Sequence, residues 1–179
     1  PQIVWVSEEI LRDLADTQTP QGIVAVIQKE EVGPPDFSQG KFLFLEDVQD
    51  PGNVGTMIRT ADAAGLTGVI VSDKSADIYS LKTLRSMQGS HFHLPIYRMP
   101  VATFVEGAKK SDLPILATTL SRESKDYREL SPLEDFVLVM GNEGQGISSV
   151  MAESADQLVH ISMKDRAESL KLAVAAGSL

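Results

Sequence analysis

From residue 41 onward, short apolar runs alternate with stretches in which apolar residues recur every three or four positions. Residues 42–45, 69–72, 95–97, 115–119, 136–140 and 159–161 read as strands. Residues 53–64, 81–87, 101–110 and 168–179 read as helices, with a helical turn at 147–153. The strands are apolar throughout instead of alternating, as expected when helices cover both faces. The fold class that follows is α/β: a mostly parallel sheet flanked by helices.

Upstream, residues 3–6 form a short apolar run. Ser7 then offers a capping oxygen, Glu8 and Glu9 suit a first turn, and Ile10, Leu11, Leu14 and Ala15 recur at helical spacing. Thr19-Pro20-Gln21-Gly22 breaks that helix, and residues 23–27 read as a buried strand. Gly33, Pro34, Pro35 and Gly40 mark the best linker. The expected organisation is a segment over 1–30, a linker over 31–40 and a domain over 41–179.

Composition narrows the choice of chemistry. The chain has 179 residues, enough for one domain or one plus a stub, and 42% of them are hydrophobic. It has no cysteine, which excludes disulfides, a thiol nucleophile, iron–sulfur clusters and thiolate zinc sites. No apolar run approaches the ~20 residues that span a bilayer, and no signal segment opens the chain. A soluble, cytoplasmic protein is expected, and a start at Pro1 points to a longer or cut polypeptide. The net charge is −9, which disfavours generic polyanion binding because phosphate contacts dominate nucleic-acid affinity. Residues 61–110 are nonetheless net +2, against −6 before and −5 after them. Any RNA contact should be local, near that basic middle, where His91 and His93 flank Phe92.

Three segments stand out, each at the C-terminal end of an expected strand, where open α/β sheets place their ligands. In residues 45–61 a polar loop with Pro51-Gly52 delivers Asn53 to a helix start. Arg59 follows among Ile58, Ala61 and Ala64, either pinned by an acid such as Asp62 or aimed at an anion. In residues 139–147, Gly141, Gly144 and Gly146 surround Glu143, so that backbone and ligand can approach closely. Their spacing is not that of a dinucleotide fingerprint, and no Lys-Ser/Thr pair follows as in a phosphate loop. Glu143 is a candidate site carboxylate or a turn residue. Residues 161–177 run from a strand through a polar turn into an alanine-rich helix, suited to close packing against another helix or chain.

In this order the three segments resemble motifs 1, 2 and 3 of the SpoU/TrmH family of RNA ribose 2′-O-methyltransferases. The resemblance covers residues 41–179. Residues 17–25 resemble the end of a substrate-recognition domain, which makes 1–30 a remnant of an N-terminal RNA-binding domain. The resemblance implies a C-terminal deep trefoil knot, a feature no general topology rule would suggest. It also implies S-adenosylmethionine as cofactor, a homodimer, no metal and no membrane. By position, Gly141, Ile161 and Leu170 should contact the cofactor, with Thr118 and Met163 beside them. Asn53, Arg59, Glu143 and Ser169 match the catalytic positions. The implied reaction is methyl transfer to a ribose 2′-hydroxyl, with ribosomal RNA the first choice of substrate and transfer RNA the second.

A ribose hydroxyl must lose its proton and meet the methyl carbon in line. An arginine with a pKa above ~12 is a poor free base, so bidentate phosphate clamping is the conservative role for Arg59. Glu143 and Asn53 would then fix the guanidinium and Ser169 would orient the ribose. The dimer is expected to use residues 169–179 and, from the helix beginning at Asn53, Met57. Departures from the family pattern are Ser162 in place of proline, Asp165-Arg166 where glycine is common, Leu81 and Met87 upstream, and Lys171 where asparagine follows Ser-Leu. Lys171 either adds phosphate affinity or blocks a hydrogen bond. It favours the competing class, a knotted relative that binds RNA or cofactor without turnover.

Overall fold

A computed structural model describes residues 2–15, 19–29, 31–161 and 176. The chain divides into two units, Pro1–Glu31 and Val32–Leu179. In the first, α1 (Glu8–Ala15) starts where Ser7 Oγ accepts the Ile10 N–H at 3.4 Å. Residues 23–29 carry no strand, and Val26 is 98% exposed. The buried strand expected at 23–27 is therefore not formed. A strand needs a hydrogen-bonded neighbour and a layer to bury against, and the described residues of this unit supply neither.

The second unit holds seven strands: β1 (Lys41–Leu45), β2 (Gly68–Val71), β3 (Ile96–Arg98), β4 (Ile115–Thr118), β5 (Lys125–Asp126), β6 (Phe136–Met140) and β7 (Gln157–His160). They form one sheet in the order β3-β2-β1-β6-β4-β7-β5, and every pairing is parallel. Its helices are α2 (Pro51–Ala63), α3 (Leu81–Met87), α4 (Val101–Lys110) and α5 (Ser149–Ser154). Alternate residues of each strand enter opposite cores. Leu43, Leu45, Val69, Val71, Leu138 and Met140 pack with Val54, Met57 and Ile58 of α2. Phe42, Phe44, Ile70, Val137 and Val139 pack with Phe104 and Ala108 of α4. Both faces are buried, and that is why the strands lack a polar alternation.

Two local features fix the helices beside the sheet. Asp50 caps α2, its Oδ1 accepting the Asn53 N–H at 2.8 Å, and Pro51 occupies the first turn, where its missing N–H costs nothing. Gly55 lets α3 cross α2 closely. A Cβ there would stand 2.6 Å from Thr83 O and Ser86 Cβ.

Residues 32–40, expected to fall in the linker, belong to the second unit. Phe37 is buried and meets Phe42 and Phe104 edge-on, at ring separations of 5.6 and 5.9 Å. Met57 is fully buried inside the protomer, so it cannot present itself to a partner chain as expected. Residues 90–92 form a short 3-10 turn, with Phe92 exposed. The two-residue β5 carried no periodic signal. The helix expected at 168–179 lies outside the described residues except for Ala176, which is helical and packs against the α2-side core.

Candidate active site

The sheet order reverses direction between β1 and β6. From β1 the chain builds outward through β2 and β3, then crosses over to β4, and β6 later enters between β1 and β4. Parallel sheets open a crevice at such a switch point, outside the carboxyl ends of the strands. The loop after β1 (residues 46–50) and the glycine loop after β6 (141–146) meet there.

Contacts across the crevice are polar and specific. Asn53 Nδ2 donates to Glu143 Oε1 at 3.1 Å, and the backbone N–H groups of Asp50 and Gln49 donate to Glu143 Oε1 and Oε2 at 3.3 and 3.4 Å. In return, Asn142 Nδ2 donates to Asp47 O at 2.8 Å, while its Oδ1 accepts the N–H groups of Gly144 and Gln145 at 2.9 and 3.0 Å. Asn142 and Gly146 exchange both backbone hydrogen bonds at 2.9 Å, closing the loop into a tight turn. Glu46, buried at the end of β1, accepts the Ser148 N–H at 3.0 Å and pins the far side of that turn.

Gly141 has a different reason from the one the motif suggested. A Cβ there would run into the Gly146 carbonyl carbon and come within 2.5 Å of Ile147 N. The missing side chain is required by the loop's own fold before any ligand arrives. Gly146, at φ +71°, supplies the left-handed residue that turns the chain.

The structure unites some of the expected site residues. Asn53 and Glu143 are bonded to each other, and neither bonds Arg59, contrary to the expectation that they would fix its guanidinium. Arg59 is exposed on α2 and has no hydrogen-bond or ion-pair partner among the described residues. Asp62 does not pin it either, since its carboxylate faces His93 Nδ1 at 3.3 Å. Thr118, Gly141 and Ile161 follow or end β4, β6 and β7, which are neighbours in the sheet. Thr118 Oγ1 donates to Val139 O at 2.9 Å, tying β4 to β6 just below the crevice. Met163, Ser169 and Leu170 lie outside the described residues.

Asp47, Asp50, Asn142 and Glu46 were not singled out from the sequence. For Asp50 a signal existed, an Asp directly before proline at a helix start. The Asp50 carboxyl is held below its ordinary range by the Asn53 N–H and by Lys82, whose Nζ is 3.0 Å away. At the basic surface, His91 Nδ1 is buried with no partner among the described residues, and burial pushes that imidazole pKa down. Among the described residues no cluster of His, Asp or Glu could hold a metal ion, and no helix is long and apolar enough to cross a membrane.

This crevice has counterparts in known proteins. The chain is 41% identical over 178 residues to the 23S rRNA (guanosine(2553)-2′-O)-methyltransferase RlmP of Bacillus subtilis, covering 99% of this chain and 71% of that one. It superposes on the AdoMet-bound rRNA methyltransferase from Sinorhizobium meliloti with a TM-score of 0.87 and 34% identity, covering 96% of this chain and 67% of that one. The AdoMet complex of the SpoU methyltransferase AviRb from Streptomyces viridochromogenes matches with a TM-score of 0.67 and 36% identity, over 77% of this chain and 56% of that one. Residues 40–179, from the strand before the first loop to the end of the chain, match the SpoU rRNA Methylase family model, and the chain belongs to that family.

Proposed function

We propose that the chain is an S-adenosylmethionine-dependent RNA methyltransferase that modifies a ribose 2′-hydroxyl, with 23S ribosomal RNA as its substrate class. The observation that carries this is the Asn53–Glu143 bond at the switch point, which joins the family's first two motifs into one site. The names of the B. subtilis and S. meliloti proteins favour ribosomal RNA as the substrate.

The residues present suit the cofactor. Thr118, Gly141 and Ile161 stand at the ends of three adjacent strands, and the exposed Leu120 follows Thr118. Backbone edges with apolar side chains are what a planar purine and its sugar require. Met163 and Leu170 complete the proposed cofactor set. When bound, S-adenosylmethionine supplies an electrophilic methyl carbon.

The chain's own groups then have separable tasks. Both Glu143 oxygens accept N–H groups of the first loop, so Glu143 anchors Asn53. Asn53 Oδ1 has no partner among the described residues and can accept from a ribose hydroxyl. The Arg59 fork, unpaired among the described residues, clamps an RNA phosphate, and Ser169 orients the ribose. The reading extends to a knotted C-terminal segment, to a homodimer through residues 169–179, to residues 1–30 as the remnant of an RNA-binding domain, and to a cytoplasmic location.

The test is incubation of the full-length protein with methyl-labelled cofactor and unmodified ribosomal RNA, followed by mapping of 2′-O-methyl sites. One labelled ribose in 23S RNA is expected. Cofactor binding without transfer to ribosomal or transfer RNA would establish the non-catalytic relative instead. Sedimentation equilibrium of the same sample should give twice the chain mass at micromolar concentration.

A further inference from the structure

Arg98 ends the edge strand β3, well removed from the motif residues in sequence, yet its guanidinium is committed to one turn. Nη1 donates to the carbonyl oxygens of Ser72, Asp73 and Ser75 at 2.9, 3.2 and 3.2 Å, and Nη2 donates to Ala76 O at 2.9 Å. Converging four carbonyls on a cation fixes the turn, since those dipoles would otherwise repel one another.

The other side of that turn faces the loop after β1. Ser72 and Ser75 are buried polar residues. Ser72 Oγ accepts the Asp47 N–H at 2.8 Å and donates to Asp47 Oδ1 at 2.7 Å. Ser75 Oγ accepts the Val48 N–H at 3.1 Å and donates to Leu45 O at 3.0 Å. Ala76 N–H donates to Val48 O at 2.9 Å. Asp47 itself sits at φ +55°, a left-handed conformation that a non-glycine residue holds only when its surroundings impose it. The Asp47 carbonyl then receives Asn142 Nδ2, and Asn142 Oδ1 holds the Gly144 and Gln145 N–H groups.

We propose that Arg98, acting through Ser72 and Ser75, is a positioning residue for the cofactor loop: it holds Asp47 left-handed, and Asp47 through Asn142 sets the turn at 141–146. This rests on reading that loop as the cofactor site. Arg98 touches neither cofactor nor RNA. Its loss loosens the loop's amides and weakens cofactor binding.

The experiment uses the full-length protein with Arg98→Gln, Ser75→Ala and the double variant, read by calorimetry with S-adenosylhomocysteine and by amide hydrogen exchange without it. Each single variant should weaken binding by about tenfold, and the double by less than the product of the two, because both act on one path. Exchange at Gly144 and Gln145 should speed up in both single variants, and KM for the cofactor should rise. Arg98→Lys, whose point charge reaches only part of the carbonyl set, should fall between wild type and Arg98→Gln. A wild-type affinity in both singles, or a lowered melting temperature with unchanged affinity and exchange, overturns the relay and leaves Arg98 a sheet-edge stabiliser. If the wild type binds no cofactor, the reading of the loop fails instead, and exchange at Gly144 and Gln145 still decides the relay. Should Arg98→Gln not fold, Ser75→Ala and Arg98→Lys carry the same comparison.

Discussion

Asn53 Nδ2 lies 3.1 Å from Glu143 Oε1, so the first residues of α2 and the glycine turn after β6 are joined by one hydrogen bond across 90 residues of sequence. The bond is exposed, and it would be weak alone. Its geometry gains from the two backbone N–H groups, of Gln49 and Asp50, that hold the same carboxylate in place. Removing either partner therefore disturbs the other.

Asn53→Ala and Glu143→Gln should each lower kcat by about a hundredfold, and the double variant should be little worse than either, as groups acting as a unit are non-additive. A double-mutant cycle on single-turnover rates measures this. Losses that multiply would mean the two residues act independently.

Gly141→Val should lose cofactor affinity because the side chain displaces the Gly146–Ile147 backbone and breaks the Asn142–Gly146 bridge. The wild type should bind at micromolar strength, about −8 kcal/mol. Calorimetry reads both proteins. An unchanged affinity in the variant would refute the assignment of this loop to the cofactor.

Arg59→Ala should leave cofactor binding intact, because the guanidinium bonds nothing among the described residues, and lower transfer by about a hundredfold or more. Arg59→Lys should fail almost as badly, since an ammonium cannot reproduce the planar fork. Substantial turnover by the lysine variant would show that charge alone suffices.

Asp50 links acid sensitivity to the α2 cap. Its carboxyl is held below the ordinary value of 3.8 in the folded chain, chiefly by the Asn53 N–H, so the unfolded state binds more protons as pH falls. Its contribution is full above 3.8 and is lost as pH drops through the lowered folded value. Asp50→Ala should cost about 1 kcal/mol at neutral pH through the lost cap. Asp50→Asn keeps the capping oxygen and should flatten the decline of stability between neutral and acid pH. Urea midpoints across that range are the measurement, and identical slopes would remove Asp50 from the account.

Strands β1, β4 and β6 and helices α3 and α4 were legible because burial on two faces forces an unbroken apolar run, and burial on one forces a helical period. The motif residues Asn53, Glu143 and Gly141 were reached through the family resemblance that the ordered motifs carry. What the chain could not disclose locally was the strand order, because the insertion of β6 between β1 and β4 leaves no mark on either segment's periodicity. That insertion brings the two motif loops together. The isolated apolar run at 23–27 shows the converse, since its pattern was that of a strand but no neighbour among the described residues of its unit hydrogen-bonds to it. Polar residues were the least legible: Ser72, Ser75, Arg98 and Asn142 look like ordinary turn or edge residues, and only tertiary contact decides which hydroxyl, amide or guanidinium they meet. A hydrogen bond depends on where both partners are, whereas hydrophobic burial is written in each segment separately.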